Sequence, residues 1–108
     1  MKAFDTRYKL LADMYQDEYF PDFLVDKVKA EIQKVITLLE SGEIHTEVIQ
    51  KKLDEAVWAI NDLQAEFDKN GSEIETVARD SIGETVKYIL EWFGIPIDIE
   101  EAVRERDW

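Results

Sequence analysis

Apolar residues recur along this chain at intervals of three and four, and no segment of useful length alternates with a period of two. That spacing lays them along one side of a helix and leaves no strand with a face to bury. The chain must therefore become a helical protein whose stripes cover one another. Phe4, Tyr8, Leu11 and Tyr15 predict a first helix over about Asp5 to Gln16. Leu24, Val28, Ile32, Val35, Ile36 and Leu39 predict a second. It opens at Pro21, a residue suited to a first helical position, and runs to about Ser41, where Gly42 can stop it. Ile49, Leu53, Ala56, Ile60, Leu63 and Phe67 predict a third, entered through Thr46 as N-cap and ending near Asn70. Ala78, Ile82, Thr85, Val86, Ile89 and Phe93 predict a fourth from Ser72 to Phe93. A short fifth begins at Asp98, whose spacing to Glu101 has the form of a capping box. Short links between the second, third and fourth helices favour antiparallel neighbours. The expectation is an all-α, single-domain antiparallel bundle over residues 1–108, with four main helices and a short C-terminal one.

The chain is long enough for one domain at 108 residues, and its 45% hydrophobic content separates it from a disordered acidic tail. Twenty-five acidic residues against 13 basic ones give a formal charge of −12. That balance argues against nucleic acid and anionic membrane as direct partners, since both need a basic patch. A basic protein partner, a bound cation or plain solubility would each account for it. With no cysteine there is no disulfide, zinc-thiolate site or cysteine nucleophile. The first residues lack the apolar core of a signal peptide, and no apolar run approaches membrane-spanning length. A cytoplasmic location is expected.

The segment from Gly71 to Asp80 holds the densest run of polar residues, and helix-end chemistry accounts for most of it. Ser72 and Glu75 have S-x-x-E spacing, in which each side chain satisfies a backbone N–H of the first turn. On that reading Ser72→Ala costs about 0.5–2 kcal/mol. The preceding link invites comparison with a calcium loop, because Gly71 at the sixth position puts Glu66, Asp68 and Asn70 at the first, third and fifth. The twelfth position, which needs a bidentate carboxylate, is Val77. Two-iron bundles need a Glu-x-x-His motif on each of two helices, and this chain has one histidine, His45, with Gly42 three positions before it. Serine–histidine–acid catalysis would need the same His45, and there is neither a G-x-S-x-G turn nor a Gly-rich phosphate loop. No cofactor, no tight calcium or zinc site and no enzyme activity are expected.

Five residues stand out as candidates for interaction or ligand binding. Trp58 lies about 165° from the centre of its helix's apolar stripe, among Lys51, Glu55 and Asp62. Either a further helix covers it or it is an exposed anchor of the kind enriched in binding hot spots. Tyr15 and Tyr19 belong to an aromatic-rich junction running to Phe23, where ring packing leaves hydroxyls free for solvent or a partner. Glu75 turns toward the core side with Arg79 one turn later, the favourable order for a helical ion pair. Glu73, Asp80, Glu84 and Glu91 form one acidic line on the outside of the fourth helix, with Lys87 beside it. It is either a solvated face or a ridge for a basic partner.

Tyr19-Phe20-Pro21, Leu24 to Lys27, Ile60 to Phe67, Gly71 to Asp80 and the closing Arg106-Asp107-Trp108 together resemble a small bacterial family of uncharacterised proteins, catalogued only as a domain of unknown function. The likeness spans most of the chain and is most specific from Ser72 to Arg79. It implies a stand-alone bacterial protein and transfers no catalytic residue. Two functions follow for testing. The first is an acidic helical protein that binds another protein, as a regulator, adaptor or immunity-like inhibitor, with self-association also open. The second is a small-molecule or enzymatic site using Glu75, Arg79 and a nearby tyrosine such as Tyr15 or Tyr88.

Overall fold

In the computed structural model, which describes residues 2–108, the stripes become five helices. They are α1 (Ala12–Gln16), α2 (Asp22–Glu40), α3 (Thr46–Lys69), α4 (Thr76–Phe93) and α5 (Ile99–Ala102). No strand occurs among the described residues, so the all-α class follows as the periodicity requires. The five-residue link from α2 to α3 folds them side by side, and α4 closes the core against α1, α2 and α5. Every stripe residue of α2 is buried, as are those of α3 and α4 except Leu63 and Phe93, which are partly covered. Between the three long helices, lined by Ile32, Leu53, Ile60, Ile82 and Val86 among others, only about 10 Å³ is left empty. That is scarcely the room one water needs. The core is filled. The Cα radius of gyration, 13.3 Å, is close to the ~13 Å of a single domain this long. Among the described residues no helix is long and apolar enough to cross a membrane.

The first helix is much shorter than its stripe suggests. Asp5 starts a turn instead: its carboxylate accepts the N–H of Arg7 at 3.0 Å and its carbonyl that of Tyr8 at 3.3 Å. Leu11 then takes a left-handed conformation, φ 57°, while fully buried, which breaks any helix running through it. Phe4 and Tyr8 still face inward, but against α4. The Tyr8 ring stacks on Tyr88 at 3.9 Å, and Phe4 meets Tyr88 edge-on at 6.0 Å and stacks on Phe93 at 6.1 Å. Residues 2–11 thus form an aromatic strap. Thr85, a polar member of the α4 stripe, accepts the buried N–H of Leu11 at 3.2 Å. The bundle accordingly has three long helices, with the strap and one short helix where a fourth long one was expected.

The expected capping box does not form. Helix α3 ends in a Schellman motif: the N–H of Ser72 reaches the Phe67 carbonyl at 2.9 Å and that of Gly71 the Asp68 carbonyl at 3.1 Å. Gly71 supplies the positive φ of 73° that the motif needs. Ser72 is therefore consumed in ending α3, residues 72–75 run outside helix, and α4 starts only at Thr76. Glu75 takes the N-cap position and no side chain caps it. Thr46 is likewise the first helical residue instead of the cap. His45 precedes it, and Glu43 accepts the N–H groups of Ile44 and His45. Asp98 does cap α5, accepting the Glu100 N–H at 3.1 Å.

The Ser72 hydroxyl is left buried and without a partner. A buried polar group in that state costs stability that an apolar replacement recovers. Ser72→Ala is therefore expected to raise stability by about 1 kcal/mol, the reverse of the capping expectation. Urea unfolding should show a higher midpoint at unchanged slope. A lower midpoint would restore the hydroxyl as a structural bond.

Candidate functional site

Trp58 lies on the outer side of α3, half exposed at 50%. Its indole N–H donates to the Glu105 carboxylate at 2.9 Å. One turn on, the Asn61 amide donates to the Glu105 carbonyl at 2.8 Å and its oxygen accepts the Asp107 N–H at 3.2 Å. Gln64, another turn along, donates to the Asp107 carboxylate. The three side chains stand one turn apart on one face, so the C-terminal segment lies along α3 as a polar strap. It meets one edge of the indole. Lys51, Glu55 and Asp62, all exposed, sit at i−7, i−3 and i+4 from Trp58 on the same face.

The strap is rooted in a polar cluster that sequence reading missed. Arg104 grips Asp54 through two bonds, Nε at 3.3 Å and Nη2 at 2.8 Å, and also reaches Glu101 at 2.9 Å. These carboxylates, Asp54 foremost, hold the guanidinium charged beyond its ordinary range. Asp54 is buried, and Gln50, buried beside it, donates to its carboxylate at 3.0 Å and to the Glu101 carbonyl at 3.0 Å. The signal available was slight: two polar residues at i, i+4, each next to a member of the α3 stripe, Ile49 and Leu53.

Glu75 and Arg79 do not pair. Glu75 precedes the first helical residue with extended angles, φ −112° and ψ −161°, so its side chain is not carried below Arg79 by helical geometry. Arg79 instead donates to Thr76 Oγ1 at 3.1 Å and lines a groove of about 400 Å³ with Asp80, Gly83, Lys87 and Arg106. Neither Glu75 nor any tyrosine lines that groove. Neither Tyr15 nor Tyr88 joins Glu75 or Arg79, since each donates to a carboxylate elsewhere, whereas Tyr19 is close enough to feel the Glu75 charge. Glu73 also leaves the acidic line, because it lies before α4 begins. Asp80, Glu84 and Glu91 remain exposed on that helix.

The tyrosines are engaged elsewhere. Tyr15 donates to Asp26 Oδ1 at 2.6 Å. Partial burial, then that carboxylate, keep its hydroxyl protonated well above the usual phenol range. Tyr88 donates to Asp5 Oδ2 at 2.7 Å, which raises the phenol and holds the Asp5 carboxyl below its ordinary range. Tyr19, 43% exposed, stands edge-on to Phe20 at 5.1 Å. Desolvation, then Glu73, Glu75 and Asp68, push its hydroxyl upward. His45 is exposed and its Nδ1 lies 2.8 Å from Glu43. In the link compared with a calcium loop, Glu66 pairs with Lys27 at 2.7 Å, and the Asn70 amide bonds the Glu66 carbonyl at 2.8 Å. The described residues contain no group of three or more acids or histidines placed to hold a metal ion.

A model of a family of unknown function, DUF5713, matches residues 4–108, and the chain belongs to that family. No curated protein and no solved structure matches it.

Proposed function

We propose that this member of a family without an assigned activity works by binding another protein, through the α3 face that carries Trp58, as a small regulator, adaptor or inhibitor. One observation carries the reading: an indole is left half in water on a protein whose core is otherwise filled. Exposed tryptophans are among the commonest interface anchors. The bond to Glu105 satisfies the N–H and holds the ring, which lowers the ordering cost of association. Asp62 and Glu105 near it, with Glu55 already paired to Lys52 at 3.6 Å and Lys51 at the far end of the face, favour a partner with arginine or lysine side chains, which can also lie over the indole face. The overall charge of −12 speeds encounter with such a partner. For the alternative built on Glu75, Arg79 and a nearby tyrosine, Arg79 bonds Thr76 instead of Glu75, and Tyr15 and Tyr88 bond Asp26 and Asp5.

With Trp92 and Trp108 replaced by phenylalanine, Trp58 fluorescence is expected to be red-shifted and open to quenchers. Trp58→Ala should cost less than about 1 kcal/mol, since little core is removed. It should also abolish capture of a protein that the unchanged chain pulls from native lysate, as read by mass spectrometry. A loss of about 3–5 kcal/mol, typical of emptying a buried aromatic site, would make Trp58 structural. Identical captures by both chains would end the binding-anchor reading.

A further inference from the structure

A groove of about 610 Å³ runs between the N-terminal strap, α1 and α2, within the roughly 300–1,000 Å³ range of small-molecule sites. Its apolar lining comes from Phe4, Tyr8, Leu10, Tyr15 and Ile36. Four charged residues also line it: Asp5, Glu40, Lys9 and Lys29. The two acids already hold the strap in place. Asp5 accepts from Tyr88 and from the Arg7 N–H, and Glu40 accepts the Phe4 N–H at 2.8 Å. The two lysines are uncommitted, since neither has a carboxylate within 4.0 Å among the described residues; Lys51, Lys69 and Lys87 are likewise unpaired, and it is their shared groove that sets Lys9 and Lys29 apart. Lys29 stands 5.9 Å from the centre of the Tyr15 ring, so one ammonium borders an aromatic wall.

We propose that this groove binds a small organic anion, a flat apolar body of one or two rings bearing a carboxylate. The rings pack against Phe4, Tyr8 and Tyr15, the partly exposed rings of the lining, and the carboxylate is taken by Lys9 and Lys29. Charges farther than about 8 Å are screened at physiological salt, so selection rests on the groove's own groups. Asp5 and Glu40 keep their charges but are engaged by Tyr88 and by backbone N–H groups of the strap, which leaves the two lysines as the groups open to a ligand. Shape and apolar contact supply most of the binding, while the lysines choose the charge. The groove shares no residue with the Trp58 face, so this site and the protein-binding reading stand or fall separately.

Three probes with the same ring system separate the contributions: naphthoate, naphthylmethanol and naphthylmethylammonium. Each is titrated into the intact chain by calorimetry and by amide chemical shifts. Naphthoate is expected to bind best and to shift Tyr8, Lys29 and Gln33. Replacing both lysines, Lys9→Gln with Lys29→Gln, should weaken naphthoate roughly tenfold and leave naphthylmethanol within about twofold. Both lysines are exposed, so the fold should survive, and an unchanged melting temperature checks that. Tighter binding of the ammonium probe would mean that Asp5 and Glu40 govern the groove, overturning the proposal. Equal binding of all three, shifts centred elsewhere, or no saturation by any probe at millimolar concentration would overturn it as well.

Discussion

Phe67→Ala should lower the stability of this protein by about 3–5 kcal/mol, the usual cost of emptying a buried aromatic site. The ring is fully buried in the last turn of α3. Its own backbone carbonyl accepts the Ser72 N–H that closes the helix, and that bond survives the substitution. The loss is therefore the ring and the void it leaves. Against a total of about 5–15 kcal/mol for a typical domain, the remaining margin is narrow. Urea unfolding is expected to show a sharply lower midpoint at unchanged slope. Leu63→Ala, in the same stripe but only partly buried, is the control and should cost less. If the two variants are equally destabilised, the filled core described above does not extend to the end of α3.

Asp54→Ala should cost about 2–3 kcal/mol, as for loss of hydrogen bonds to a charged acceptor. The carboxylate takes bonds from Gln50 and Arg104, so its removal unties α3 from α5 and from the segment beyond. The figure falls short of that for a fully buried ion pair, since Arg104 is 45% exposed and regains water. A second effect distinguishes this site from ordinary core. The polar strap of residues 104–107 should loosen, giving faster amide exchange there and stronger quenching of Trp58. Asp54→Asn, which keeps the shape and drops the charge, should fall between the two. An unchanged midpoint with unchanged exchange in the strap would show that the cluster contributes nothing to holding it.

Legibility from sequence followed the range of the forces involved. The stripes of α2, α3 and α4 were readable because burial is periodic along a helix, and every predicted inward residue of α2 is buried. The residues of the first stripe were also right in direction, since Phe4 and Tyr8 pack inward. Their helix was not, because i, i+4 spacing of aromatics serves a strap that makes a single turn between them and lies on α4 as well as it serves a helix. Ser72 shows the limit of motifs: its S-x-x-E spacing is real, but the same residue was needed to terminate α3. Of the candidate site residues, Trp58 was placed opposite its stripe by angle alone and is exposed. Glu75 and Arg79 were paired on the assumption that both lie in one helix, and α4 begins between them.

What the sequence determined by itself is local and repetitive: helix, the core face of each long helix, the stop at Gly42 and the end of the third helix near Asn70, the absence of cysteine chemistry and a strongly acidic composition. These depend on near neighbours and on composition, which a single chain states outright. The tertiary structure alone decided which helix ends capture which residues. It also decided that Asp54, Gln50 and Arg104, separated by up to 54 positions, meet in one buried cluster, and that Lys9 and Lys29 share a groove with Tyr8 and Tyr15. Such meetings depend on how helices are set against one another. That arrangement follows from the packing of the whole core, and no spacing within a single helix records it.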